Sequence, residues 1–167
     1  KEDLQSRMVI SPSIDYIEEN FNPSKFDKLS YDPILEISIT PDNKTMNVQI
    51  QYAPFNAEGG WESIKENYIS SVIKLISNYS PNIENCIENK TLITPDSIEK
   101  DYLVSGGHWH HGEIQIDQLF MLRPIPGASQ YRTHLKGLYM CGAGTHPGGG
   151  LSGISGKNSA YAVLEDL

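Results

Sequence analysis

Gly137-Leu138-Tyr139-Met140-Cys141-Gly142-Ala143-Gly144-Thr145-His146-Pro147-Gly148-Gly149-Gly150-Leu151-Ser152-Gly153 reads as a short apolar strand pattern that runs into a glycine loop, with a helical pattern behind it. Glycines let backbone N–H groups come close to a ligand that any Cβ would push away. A helix starting just behind them adds unpaired donors and the positive end of its dipole. The loop therefore has the outline of a nucleotide-cofactor loop. Gly149, Gly153, Gly156 and Ala160 are spaced 4, 3 and 4 apart, which places them on one face of a helix. A flexible connector has no need of that regularity, whereas a helix pressed against a cofactor or a neighbouring sheet does.

Gly148-Gly149-Gly150-Leu151-Ser152-Gly153 is a literal G-x-G-x-x-G. The dinucleotide fingerprint also needs a βαβ unit and an acidic residue about 20 positions further on, and neither follows within these residues. Ser152 and Ser155 do not complete G-x-S-x-G, because Ile154 follows Gly153 and Lys157 follows Gly156, so a hydrolase elbow is not expected.

Upstream, residues 34–40 and 46–52 alternate apolar with polar side chains, and Pro41-Asp42-Asn43-Lys44 supplies turn chemistry between them. Two antiparallel strands are expected. Trp61, Ile64, Tyr68, Val72, Leu75 and Ile76 fall at helical spacing, entered through Gly59-Gly60 and stopped by Ser80-Pro81, which predicts a helix that buries this stripe on the sheet. A short helix over 14–20 follows the cap Ser13, a third strand is expected over 90–94, and Pro95 opens another short helix. No repeat or low-complexity linker interrupts the chain, which reads as one continuous unit.

The 167 residues suffice for one domain. The formal net charge is −8, and the 13 Lys and Arg residues form no stripe, so nucleic acid is not an expected partner. No apolar run approaches the ~18 residues of a membrane span, and the polar opening Lys1-Glu2-Asp3-Leu4-Gln5 lacks the apolar core of a secretory signal. A soluble protein is expected. Cys86 and Cys141 show no C-x-x-C spacing and fit buried thiols of a reducing compartment, cytoplasmic or alternatively the mitochondrial matrix. Three Asn-x-Ser/Thr sequons, at Asn43, Asn78 and Asn89, are chance matches on this reading. His108-Trp109-His110-His111-Gly112-Glu113 brings imidazoles and a carboxylate together. No pair has the i, i+4 spacing of H-E-x-x-H, so no metal site is expected.

Residues 137–160, with Asp117-Gln118-Leu119-Phe120-Met121-Leu122-Arg123-Pro124-Ile125-Pro126-Gly127 before them, closely resemble the C-terminal end of FAD-dependent oxidoreductases of the phytoene-desaturase type. The nearest branch is the one called pyridine nucleotide-disulphide oxidoreductase domain-containing protein 2. The likeness extends back through Gln49-Ile50-Gln51-Tyr52-Ala53-Pro54, Gly59-Gly60-Trp61, Tyr79-Ser80-Pro81-Asn82, Gly106-Gly107 and His111-Gly112-Glu113. Members of that family begin with a Rossmann domain that carries its own glycine fingerprint. The resemblance therefore implies the C-terminal part of a longer enzyme.

The fold it implies is α+β. Residues 1–136 would form part of an antiparallel substrate domain, a sheet with a covering helix, together with the return segment. Residues 137–167 would be the last strand, loop and helix of a Rossmann-like FAD domain whose remainder is elsewhere. The resemblance implies FAD as cofactor and two-electron transfer to it from a small organic, apolar substrate, with the chain inactive without the N-terminal Rossmann part as partner. Gly142, Ala143 and Gly144 would approach the ribityl chain and pyrophosphate. Gly149, Gly150, Leu151, Ser152 and Gly153 would bring backbone N–H groups and a helix start to the flavin's pyrimidine edge. Ala143 stands where wider relatives carry an acidic residue, which leaves the grip on FAD to backbone groups.

His111 and Arg123 are candidates for contact with substrate. For His111 the alternative is a loop-fixing hydrogen bond, and for Arg123 an ordinary ion pair. Catalytic residues and oligomeric state, a homo-oligomer included, are left open. The competing reading is a stand-alone binding module that keeps a remnant of this fold. The two differ over the small-residue face of the last helix, which a segment of a flavoenzyme would leave uncovered within this chain.

Overall fold

A computed structural model describes residues 7–108, 110–112 and 115–167. The protein is α+β, with three antiparallel strands and four α-helices among the described residues. It packs as two units that divide between Asp96 and Ser97. The chain that reads as continuous in sequence is thus two bodies, and residues 137–167 lie in the second together with residues 97–136.

In the first unit, β1 (Met8–Ile10), β2 (Leu35–Ile39) and β3 (Met46–Ile50) form a sheet in the order β1-β2-β3. β2 pairs with β3 as expected, in the register Leu35 opposite Ile50 and Ile37 opposite Val48. Strand period 2 sends Leu35 and Ile37 to the same face, and both are buried. Helix α1 (Ile14–Ser24) starts where Ser13 Oγ accepts a hydrogen bond of 3.1 Å from the Tyr16 N–H, and it runs beyond the expected 14–20.

Helix α2 (Trp61–Ser77) buries Trp61, Tyr68, Ile69, Val72 and Ile76. These side chains, Ile69 excepted, share one cluster with Ile10, Leu35 and Ile37, so the helix covers the sheet as the stripe predicts. Trp61 buries its ring there and still donates its indole N–H to the carbonyls of Pro54 and Phe55, each at 3.2 Å.

Three expected elements differ. Residues 90–94 are not a strand, because Thr94 is buried and its hydroxyl donates to the Asp96 carboxylate, turning the chain into α3 (Pro95–Tyr102). The strand pattern at 137–142 forms no ladder. It closes a tight hairpin in which Arg132 pairs with Tyr139 and Met140 N–H donates to Tyr131 O at 2.8 Å. A lone extended segment gains a ladder only where another strand lies beside it. Helix α4 (Ile154–Glu165) begins at Ile154, so Gly149 and Gly153 precede it. The two cysteines are also exposed, which corrects the reading of them as buried thiols: Cys86 ends a short 3-10 turn and Cys141 sits at the lip of the glycine loop.

Candidate functional site

The glycine loop of the second unit is held from behind. Thr145 is 4% exposed, and its hydroxyl donates to the Gly142 carbonyl at 2.7 Å. The His146 carbonyl accepts from Tyr131 Oη at 2.8 Å and from Ser155 Oγ at 3.3 Å, and Asn158 Nδ2 donates to Tyr131 Oη at 2.9 Å. The loop is therefore bonded to the hairpin on one side and to α4 on the other. Tyr131 lies 15 residues from His146 and Asn158 lies 27 from Tyr131, and neither carries a motif, so sequence reading misses them. Only their residue types, hydroxyl and amide side chains amid glycines, hint at such a role.

The named loop residues fall into two groups. Gly142, Gly150 and Gly153, together with Gly156 in α4, have open space where a Cβ would stand, with nothing within 4 Å. Gly144, Gly148 and Gly149 face the protein. A Cβ on Gly144 would lie 3.8 Å from the His111 carbonyl oxygen, and one on Gly149 only 2.6 Å from His110 Nδ1. Gly153 caps α4 in the left-handed conformation, with φ of 67°, and offers no side chain of its own to the helix start. Ser152 Oγ accepts from Ile154 N–H at 3.4 Å, and Leu151 is fully exposed.

Within α4 the buried residues are Ser155, Ser159 and Ala162, while Gly156 and Ala160 are exposed. Among the described residues, the helical part of the small-residue face, Gly156 and Ala160, is thus uncovered, whereas Gly149 lies against His110. Open glycines and a helix N-terminus whose cap residue, Gly153, has no side chain form a backbone donor set that suits an anionic, nucleotide-like group. A flavin nucleotide is compatible with it.

The other candidates are placed as follows. The Ala143 carbonyl accepts from Arg123 Nη2 at 3.1 Å. Arg123 is 2% exposed and also donates to the His110 carbonyl at 2.8 Å, so its guanidinium is engaged with the protein's own backbone. His111 is exposed, with φ of 58°, and its N–H closes a turn on the His108 carbonyl at 2.7 Å. The rings of His108 and His110 stand 5.9 Å apart. Trp109 and Glu113 of the histidine motif lie outside the described residues. Among the described residues no three His, Cys, Asp or Glu side chains gather as a metal site.

The far end of α4 is clasped by one arginine. Arg132 donates to both carboxylate oxygens of Asp166, at 2.8 and 3.0 Å, to Glu165 at 3.1 Å and to the Ala162 carbonyl at 3.2 Å. A cation there also opposes the helix dipole. Tyr139 Oη donates to Asp166 at 2.8 Å. The hydrogen bonds from Arg132 first, and then from Tyr139, hold the Asp166 carboxyl below its usual range, and the carboxylate in turn raises the Tyr139 hydroxyl.

A depressed carboxyl pKa stabilises the fold above the ordinary aspartate pKa, and the gain fades as pH falls through the folded value. The raised tyrosine adds a contribution lost only as pH rises through its own folded value. Asp166→Asn should therefore lower the melting temperature at neutral pH. The gap to the parent should close on acidification, which a pH series of thermal melts would check.

Comparison with known proteins places the chain. It is 33% identical to the mouse "Pyridine nucleotide-disulfide oxidoreductase domain-containing protein 2" over 163 residues, covering 90% of the chain and 28% of that protein. The rat protein of the same name is 39% identical over 120 residues, 70% of the chain and 21% of that protein. A limonene dehydrogenase component from Castellaniella defragrans is 32% identical over 120 residues, 71% of the chain and 22% of that protein. The chain thus spans a quarter or so of the length of the curated relatives it matches. No protein-family model matches it, and no solved structure does. The chain is homologous to the C-terminal part of pyridine nucleotide-disulfide oxidoreductase domain-containing protein 2 and of the phytoene desaturases.

Proposed function

We propose that this chain supplies the flavin-facing segment of an FAD-dependent oxidoreductase that takes two electrons from an apolar organic substrate. The observation that carries the reading is the set of open glycines, Gly142 and Gly150 in the loop and Gly153 at the start of α4. Homology to desaturases supports it. When bound, FAD would supply the electron acceptor, and this chain would supply position and backbone donors. Gly142 and Ala143 would stand beside the ribityl and pyrophosphate. Leu151, Ser152 and Gly153 would present the helix start to the pyrimidine edge, where negative charge develops on reduction.

The apolar substrate class draws on the relatives, two of which are named for the hydrocarbons limonene and phytoene. The exposed side chains of Ile116, Phe120, Met121 and Ile125 in the second unit are consistent with it. The uncovered Gly156 and Ala160 favour this reading over a self-contained binding module, which would have no reason to leave a small-residue face bare.

FAD binding on this reading is divided between the glycine loop and a dinucleotide-binding domain. The 167-residue chain by itself is expected to purify without flavin, whereas the same segment in an intact enzyme carrying that domain retains it. Visible absorbance of the two preparations decides. Stoichiometric flavin on the isolated chain would overturn the divided site, and an intact protein that neither holds flavin nor oxidises hydrocarbon substrates would overturn the function.

A further inference from the structure

Gly112, Gly148 and Gly149 do not face open space, and what faces them belongs to two residues, Arg123 and His110. A Cβ on Gly112 would stand 3.9 Å from Arg123 Nη2, and one on Gly148 would stand 3.6 Å from Arg123 Nε. On Gly149 it would meet His110 Nδ1 at 2.6 Å and His110 Cα at 3.0 Å, so the histidine would have to shift. The absent side chains leave the room that the Arg123 guanidinium and His110 fill.

From that position Arg123 Nη2 reaches two carbonyls at once, His110 at 2.8 Å and Ala143 at 3.1 Å. One belongs to the turn that ends at Gly112, and the other to the glycine loop. The planar guanidinium carries five donors in a fixed fork, so it can bridge two acceptors in a set geometry. An ammonium, a single point on a flexible stem, holds such a pair less firmly.

We propose that Arg123 is a positioning residue for the cofactor loop, tying the Ala143 backbone to the His110–Gly112 turn so that both segments hold the loop at one height. This rests on the reading that residues 142–153 face flavin. Arg123 itself is 2% exposed and acts through the Ala143 carbonyl, not by touching substrate.

The test uses an intact flavoenzyme that contains this segment, with Arg123→Gln and Arg123→Lys compared with the parent by FAD dissociation constant and by amide hydrogen exchange. Arg123→Gln should weaken FAD retention by about tenfold or more, as expected for losing two charge-assisted hydrogen bonds. It should speed exchange at 110–112 and 142–145 together, leaving the last turns of α4 at parental rates. Arg123→Lys should recover part of both effects, a graded rescue that a purely volumetric role would not give. If Arg123→Gln does not fold, Arg123→Lys decides by the same two readouts. Parental exchange at both segments, or parental FAD affinity with altered exchange, overturns the proposal. A Gly142→Val enzyme that keeps its flavin instead sinks the cofactor reading, and the exchange data then still report separately whether Arg123 links the two segments.

Discussion

Gly142→Val in an intact enzyme carrying this segment is expected to strip the protein of flavin while leaving its folding intact. Gly142 is exposed, has nothing within 4 Å of where its Cβ would stand, and does not adopt a positive φ. A Cβ there meets no protein atom, and the backbone lies outside the left-handed region that strains other residues. Any loss of cofactor must then come from the space the new methyl groups take. Gly150→Val is the companion: its site is equally open, but φ is 135°, so it adds backbone strain to the same steric block. Lys157→Ala, on the exposed side of α4, should hold flavin as the parent does. Flavin occupancy after purification and circular dichroism would be measured for all three. A Gly142→Val enzyme that retains FAD at parental occupancy would mean that this loop does not face the cofactor.

The largest stability effect is expected at Tyr68. Its ring is 1% exposed and meets Trp61 edge-on at 6.0 Å and Tyr31 at 6.1 Å, and burial raises its hydroxyl pKa. Tyr68→Asp would remove this aromatic volume from the centre of the cluster and leave a carboxyl among Leu35, Val72 and Ile76. Losing the ring alone costs about 3 to 5 kcal/mol on the scale of aromatic truncations. The unpaired acid adds to that, or neutralises at a cost in pKa. A 167-residue protein whose whole stability is on the order of 10 kcal/mol would lose much of it. Lys74→Gln, on the exposed side of the same helix, should stay within about 0.5 kcal/mol. Urea unfolding of both variants gives the comparison, and a Tyr68→Asp midpoint equal to the parent's would mean that α2 does not cover the sheet.

The first unit was legible because period 2 in β2 and β3 and period 3.6 in α2 each report a buried face directly. Ser13 marked the start of α1 through its side-chain oxygen. What escaped were elements decided by a partner. Met8–Ile10 is too short for a period, and pairing with β2 makes it a strand. Residues 137–142 have strand-like side chains but form only a hairpin closure with Arg132.

At the site, residue type announced a loop where backbone must come close to something. It did not announce which glycines stand open and which face Arg123 or His110, because that depends on segments brought together by the fold. The helical spacing of Gly149, Gly153, Gly156 and Ala160 overreached for a related reason. The chain needs the left-handed turn at Gly153 before it can enter α4, so the first two positions of the pattern stand outside the helix.

The clasp around Asp166 also sets how the second unit responds to ionic strength. Both members of its principal ion pair are more than a third exposed, at 37% and 39%. The Debye length shrinks from about 10 Å at 0.1 M salt to about 3 Å at 1 M, so dissolved ions compete for this arginine in a way they cannot for the apolar cluster of the first unit. Tyr131, which bonds the His146 carbonyl behind the glycine loop, is the immediate neighbour of Arg132. Electrolyte that loosens the arginine therefore works on the same hairpin that steadies the loop, so on the proposed reading the grip on an anionic cofactor would be doubly sensitive to salt: once through the cofactor's own charge, and once through the frame that holds the donors in place.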